Sequence, residues 1–289
     1  MGFIRPEIGG DMKKLIIILS LLLSLSMGQD YSVNFEYMSG YAKSSESSNS
    51  IFEGVSSFTV EVWYKNPGVV NGPNSSLPGN SNLVTNYRRL DGGDPYNNFN
   101  LSMESSISAL PGYITFLGTQ SSVQLDDNKW HHIAAIYDNE NGIAYLYIDG
   151  VLNDTDYTSD DFLSSSNNLY INNHAPFAGE YHMECKIAGM KVSNGMAYSA
   201  NFIPAFPLQS DTNTLIVLDF SIGNGNLLED LSLNDNDFTI LGNFSWDGER
   251  PMLGCTDSFA DNYDETANVD DGSCTDYPYN GDYSLQFDG

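Results

Sequence analysis

The stretch Trp130–Gly150, WHHIAAIYDNENGIAYLYIDG, limits the architecture of this chain more than any other. Two runs rich in β-branched and aromatic residues, Trp130–Tyr137 and Ile143–Ile148, flank a turn of Asp, Asn, Glu and Gly. That arrangement reads as an antiparallel hairpin. Ser57–Lys65, SFTVEVWYK, alternates Phe58, Val60, Val62 and Tyr64 with Thr59, Glu61 and Trp63, so the two sets occupy opposite faces of a strand. Further strands are expected at Tyr113–Leu117, Asn168–Asn172, Glu184–Val192, Thr214–Phe220 and Asp237–Leu241. No helical period follows the first thirty or so residues. Many short strands separated by turn signals predict an all-β, antiparallel β-sandwich or jelly roll. The abundance of 18 Tyr and 15 Phe beside scarce Lys and Arg points the same way.

Residues 12–28, MKKLIIILSLLLSLSMG, follow the order of a secretory signal peptide: two lysines, an apolar run, then small residues before a cut at Gln29. The run is shorter than the roughly 20 residues a membrane span needs. Met12 gives a tidier start than Met1. Residues 1–28 are therefore expected to be removed, the chain secreted or displayed at the cell surface, and no membrane insertion to follow. The 11 Lys and Arg against 38 Asp and Glu give a net charge of −27, which disfavours nucleic acid and anionic membranes as partners.

Catalytic signatures are absent from the sequence. There is no G-x-S-x-G elbow, no H-E-x-x-H and no P-loop. The E-x-D-x-x-E strand of jelly-roll glucanases is missing too, and Glu61 stands alone. Adjacent His131 and His132 point to opposite faces of a strand, so they cannot form a two-histidine metal face, and one is expected to be buried behind Trp130. An intrinsic enzyme is not expected.

Several segments together resemble the laminin-G-like, concanavalin-A-like jelly-roll family. They are YSVNFEYMSGYAK at the start, FTVEVWYK, WHHIAAIYDNENGIAYLYIDGVL, KIAGMKVSNGMAYSANFIP and TLIVLDFSIGNGNLLEDLSLNDNDFTILGN. The resemblance runs over about residues 30–247 and implies one jelly-roll domain at 29–249. A proline- and glycine-marked boundary at Asp247–Cys255 follows. Residues 254–274, GCTDSFADNYDETANVDDGSC, resemble a two-cysteine, Asp/Asn-rich spacer repeat of secreted bacterial surface proteins. In an exported chain Cys255 and Cys274 are expected to pair, stabilising so small a unit by roughly 3 kcal/mol. Zinc is disfavoured because the segment has one Cys pair, no C-x-x-C and no histidine. Cys185 is left as a buried free thiol. Residues 282–289, DYSLQFDG, repeat the opening DYSVNFEY and are expected to begin a second, truncated jelly roll.

Calcium is the expected cofactor. The closing loop EDLSLNDND offers Asp230, Asn234, Asp235 and Asn236, and the resemblance places Asp230 and Asn234 at the family's D-x-S-x-N positions. An Asx-rich turn whose side chains bond their own backbone competes with that reading and stays open. In the spacer, Asp257, Asp270 and Asp271 form a similar cluster. Tyr87, Arg88 and Asp91 make the one basic spot, which could hold an acidic sugar or pair internally. The implied function is non-catalytic binding or adhesion, with carbohydrate or a surface protein as partner. Targeting of a hydrolase lying elsewhere, or passive spacing, are the alternatives.

Overall fold

The computed structural model describes residues 31–36, 40–66, 81–86, 99–103, 112–158, 167–172 and 183–275. The leader, the basic spot at Tyr87, Arg88 and Asp91, and the repeat at 282–289 lie outside the described residues. In the first half run β1 (Ser32–Phe35), β2 (Tyr41–Ser47), the single-turn helix α1 (Ser48–Ile51), β3 (Phe58–Lys65), β4 (Ser81–Thr85), β5 (Asn100–Met103), β6 (Ile114–Phe116) and β7 (Thr119–Gln120). Then come β8 (Trp130–Asp138), β9 (Ile143–Ile148), β10 (Val151–Tyr157), β11 (Asn168–Ile171), β12 (Cys185–Asn194) and β13 (Thr214–Val217). The last are β14 (Leu227–Leu228), β15 (Phe238–Leu241), β16 (Phe244–Asp247), β17 (Leu253–Gly254) and β18 (Val269–Asp270). No helix among the described residues is long and apolar enough to cross a membrane.

Two antiparallel sheets make the sandwich. The first has the order β10-β9-β8-β3-β12-β1-β16, with β13 also paired to β12; the second has the order β14-β15-β2-β11-β4-β5-β6-β7. Inner-face residues Phe58, Val60, Val62 and Tyr64 of β3 meet Ile133 and Ala135 of β8 and Ile187 and Val192 of β12 in one buried core. Phe58 is its aromatic centre, with ring centroids of Phe99 at 4.9 Å, Phe52 at 5.4 Å and Tyr137 at 5.9 Å. Fully burying each such ring stabilises the fold by roughly 1.5–3 kcal/mol.

Alternation along β3 suggests one wet face, yet the whole strand except Lys65 is buried. The segment following β12 crosses its outer face and is held by three successive outward side chains. Thr59 Oγ1 donates to the Gly195 carbonyl at 2.8 Å and accepts from the Ala197 N–H at 2.9 Å. Glu61 Oε2 accepts from the Tyr198 hydroxyl at 2.6 Å, and Trp63 Nε1 donates to the Ala205 carbonyl at 2.9 Å.

The polar stretch Ser44–Ser50 reads as a low-complexity patch, but it is the end of β2 and the start of α1. Its hydroxyls are used: Ser44 Oγ accepts from the Leu169 N–H at 2.9 Å, Ser47 caps α1, and Ser48 Oγ accepts from Asn86 Nδ2 at 3.2 Å. After β16 the chain forms a small unit closed by a Cys255–Cys274 disulfide, with β17 and β18 paired in parallel. Lys65 and Lys186 both pair with Glu249, and Lys186 also with Asp247 at 2.6 Å, tying the connecting segment to the sandwich. Cys185 is free and buried on β12, and burial pushes its thiol far above the ordinary range, so it stays protonated.

The β9–β10 turn places Asp149 and Gly150 in left-handed backbone, φ 51° and 77°. Such a turn needs Gly or Asn/Asp at these places. A Cβ on Gly150 would lie 1.9 Å from the Phe202 carbonyl oxygen of the crossing segment, whereas one on Gly195, φ 86°, would meet nothing. Gly195→Ala is therefore expected to cost only backbone strain, about 1 kcal/mol. Gly150→Ala should cost more than about 2 kcal/mol, since strain and clash act together. Denaturant unfolding of the two variants side by side checks the difference.

Candidate functional site

The crossing segment leaves part of the sandwich's outer face open near the start of β8, and the disulfide-closed unit packs beside it. Leu253 of β17 and Val269 of β18 join Trp63, Trp130, Ala188, Leu208 and Val217 in one apolar cluster. Next to this contact lies a cleft of about 610 Å³, walled on the sandwich side by Trp63, Lys129, Trp130, His131, Asp149 and Pro204. Its other wall comes from the stapled unit: Leu253, Thr256, Ala267, Asn268, Val269, Asp270 and Asp271. The volume falls in the range of roughly 300–1,000 Å³ usual for small-molecule sites.

Trp130 is 4 % exposed, and its indole N–H has no hydrogen-bond partner. The other two tryptophans are satisfied, Trp63 by Ala205 and Trp246 Nε1 by the Gly225 carbonyl at 2.9 Å. An unpaired buried donor costs roughly 1–3 kcal/mol.

His131 is clamped between two carboxylates, Nδ1 at 2.8 Å from Asp149 Oδ2 and Nε2 at 3.1 Å from Asp127 Oδ1. Asp149 is itself oriented by the His132 N–H, which donates to Oδ1 at 2.8 Å. Burial works to lower the His131 pKa, but Asp149 and then Asp127 outweigh it and hold the imidazole above its ordinary 6.5. Burial would likewise raise Asp127, and the bond to His131 reverses that and holds it below 3.8.

On the stapled wall, Asp270 Oδ1 accepts from the Gly272 N–H at 3.0 Å and Asp271 Oδ1 from the Ser273 N–H at 2.9 Å. Each carboxylate thus keeps Oδ2 without a protein hydrogen bond. Asn268 is spent on the backbone, accepting from the Met252 N–H and donating to the Arg250 carbonyl, both at 2.8 Å.

The paired histidines behave differently from each other, as their strand positions require. His132 is buried against Trp63, Phe202 and Glu61, with Nε2 3.3 Å from Glu61 Oε2, but neither ring nitrogen makes an aligned hydrogen bond. Burial opposes ionisation of Glu61, and His132 and the Tyr198 hydroxyl overcome it, leaving its pKa below 4.5. Glu61 is sealed from solvent and does not line this cleft.

The closing loop is the hydrogen-bonded Asx turn that the sequence left open beside calcium. Asp230 Oδ1 accepts from the N–H groups of Val217 and Ser232, and Oδ2 from Ser232 Oγ and the Asn236 N–H, at 2.6–2.9 Å. The amides of Asn234 and Asn236 donate to the Leu215 carbonyl, each at 3.1 Å. Leu233 stands where the family usually has Gly, and the left-handed position of this turn is Asp235 instead, φ 55°. Among the described residues no group of three or more His, Cys, Asp or Glu could hold a metal ion. In the stapled unit Asp257 Oδ1 accepts from the Phe259 N–H at 2.9 Å, and of the three only Asp270 and Asp271 line the cleft.

Sequence reasoning missed the cleft, because its two walls lie far apart in the chain. It also missed Asp149, which reads only as half of a hairpin turn, and Tyr198, which sits in a segment without period. The one usable signal was Trp130, an aromatic at the exposed end of a strand beside Lys129 and His131.

A laminin-G type family model, described as the concanavalin A-like lectin/glucanases superfamily, matches residues 38–201, more than half of the chain. The protein belongs to that superfamily. Among solved structures it is similar to a candidate carbohydrate-binding protein from Bacteroides ovatus, with TM-score 0.57 and 15 % identity, covering 76 % of this chain and 60 % of that one. The chain thus spans about three fifths of that protein. It is also similar to domains LG4-5 of the mouse laminin α1 chain, TM-score 0.38 and 13 % identity, covering 57 % of this chain and 42 % of that one. A third is the sialidase CBM40 of Ruminococcus gnavus bound to α2,6 sialyllactose, TM-score 0.38 and 13 % identity, covering 60 % and 95 %. The first of these similarities shows the same fold. No protein of curated function matches the chain.

The clamp on His131 has a pH signature. Because its folded pKa is raised, the contribution of His131 is complete below pH 6.5 and lost as pH rises through the raised value. The contribution of Asp127 is complete above 3.8 and lost as pH falls through its lowered value. NMR titration should therefore place the His131 midpoint above 6.5, and Asp149→Asn should move it down. A midpoint at or below 6.5 in the unsubstituted protein would show that burial, not the carboxylates, governs this residue.

Proposed function

We propose that this protein is a non-catalytic carbohydrate-binding module of a secreted or surface protein. The observation that carries the reading is the cleft of about 610 Å³, lined by hydrogen-bonding side chains beside Leu253 and Val269, on a sandwich of the lectin/glucanase superfamily. Sugar sites place a few polar groups over an apolar surface, and Lys129, Asn268, Asp270 and Asp271 stand beside Leu253 and Val269 here. The similar protein from Bacteroides ovatus carries a carbohydrate-binding name, which supports the reading by analogy of fold. The disulfide fits an oxidising compartment. A catalytic reading finds little support: Glu61, the one carboxylate on β3, is sealed beneath Tyr198.

Retention on polysaccharide columns and calorimetry with soluble oligosaccharides test the proposal. Saturable binding without new reducing ends is expected. Release of reducing ends in proportion to protein would overturn its non-catalytic half, and failure to be retained by any glycan would overturn its binding half.

Calcium is not needed for this reading, since Asp230 of the closing loop is held by the N–H groups of Val217 and Asn236. Thermal melts in calcium and in chelator are expected to coincide. A midpoint that rises by several degrees in calcium would return the ion to the account, because a ligand that binds only the folded state stabilises it.

A further inference from the structure

His131 stands between two groups that, as carboxylates, only accept hydrogen bonds. On its Nδ1 side lies Asp149 Oδ2, 2.8 Å away, and on its Nε2 side Asp127 Oδ1, 3.1 Å away. An imidazolium has two N–H donors and satisfies both, whereas a neutral imidazole has one donor and one lone pair. Whichever nitrogen gives up its proton then turns a lone pair on a carboxylate oxygen, and acceptor against acceptor is repulsive. The arrangement is complete only with the ring charged.

The two carboxylates are not equivalent. Asp149, in the β9–β10 turn, is fixed to β8 twice besides: its N–H donates to the His132 carbonyl and its Oδ1 accepts from the His132 N–H, each at 2.8 Å. Asp127 lies in the loop between β7 and β8, and its other partners belong to that same loop. Its Oδ1 accepts from the Lys129 N–H at 3.0 Å, and the well-exposed Lys129 ammonium stands 3.4 Å from its Oδ2. Asp127 therefore has somewhere to turn, and Asp149 does not. The neighbouring titratable groups replace neither: Asp126 turns toward Gly112, Tyr64 across the β3–β8 pairing is kept protonated by burial, and Asp270 and Asp271 line the opposite wall of the cleft.

We infer that His131 is a proton-operated tie between the β7–β8 loop and the β9–β10 turn: charged, it holds both, and neutral, it keeps Asp149 and lets Asp127 go. Its pKa lies above 6.5, so the tie is closed in acid and opens as pH rises through that raised value. Opening leaves the Asp127–Lys129 bend to its backbone anchor, the Asn128 N–H on the Asn66 carbonyl at 2.9 Å. Lys129 and Asp149 both line the cleft, so one proton decides whether this rim is tied across. The tie operates whatever the cleft binds.

Heteronuclear NMR of the nitrogen-labelled full chain, titrated through the His131 midpoint, tests it. Neutral His131 should carry its proton on Nδ1, the nitrogen that faces Asp149. The Lys129 amide, which shares Asp127 Oδ1 with the ring, should exchange roughly two- to tenfold faster above the midpoint once the intrinsic pH dependence is removed. The Asp149 amide should show no such step. Asp127→Asn supplies an amide that can donate to a neutral Nε2, so the Lys129 step should vanish in that variant. The tautomer and the exchange step are read on the unsubstituted protein, so they decide even if Asp127→Asn does not fold. A neutral ring protonated on Nε2 would overturn the inference, since Asp127 would then be the partner kept. So would a Lys129 amide without a step, a step that survives Asp127→Asn, or a ring that stays charged throughout the pH range in which the fold persists.

Discussion

The outward face of β3 is the surface on which the rest of this protein is organised. Thr59, Glu61 and Trp63 sit two residues apart, so they project in a row from one face of the central strand of the first sheet. Each holds the segment that follows β12 by a hydrogen bond: Thr59 to Gly195, Glu61 to Tyr198, Trp63 to Ala205. A row of polar atoms beneath a crossing chain is satisfied by that chain, and the chain is fixed in register by the row. Without it, one side of the sheet would face water and Trp63 would have no cover. With it, the segment ends where Pro204 and Phe206 meet the indoles, and that edge becomes one rim of the cleft.

Burying Glu61 in that row is costly on its own, and the surrounding groups explain why it is tolerated. The carboxylate lies 3.3 Å from His132 Nε2 and accepts from Tyr198, while Lys191 stands opposite it across the β3–β12 pairing. Tyr198 stacks on Phe202 with centroids 3.4 Å apart and planes 5° from parallel, so its hydroxyl is delivered by a ring that has little room to turn. Burial, then the adjacent Glu61 charge, push the phenol far above its ordinary range and keep it a donor. Paired buried charge of this kind contributes little net stability, but losing one partner leaves the other stranded. The cluster therefore specifies where the crossing segment lies more than it strengthens the fold.

Much of the sandwich was legible in the sequence, and the reason is locality. The β8–β9 hairpin, the alternation of β3 and the buried Cys185 are set by residues near one another in the chain, and the structure places them as their patterns imply. The pairing of Cys255 with Cys274 was legible from composition and compartment. What escaped was non-local. Ser44–Ser50 looks like filler because two of its hydroxyls find partners far off in the chain, Ser44 at Leu169 and Ser48 at Asn86. The crossing segment has neither period two nor period 3.6, since its side chains answer to β3 instead of to one another. Around Asp230 the local density of Asp and Asn is plain in the sequence, while one donor to its carboxylate, the Val217 N–H, lies outside the loop.

The cleft follows from the same non-locality, and its walls differ in kind. The sandwich wall is rigid, with Asp149 held by a left-handed turn and by two histidine contacts. The opposite wall belongs to a unit too small to bury a core of its own, so its rigidity must be borrowed. The disulfide closes it, Leu253 and Val269 lean on the tryptophans, and Lys65 and Lys186 fix the connecting segment at Glu249. A wall held at three places is pre-organised, and pre-organisation lowers the ordering cost that a ligand must overcome. Between two such walls an acidic protein can keep its carboxylates poised as hydrogen-bond acceptors.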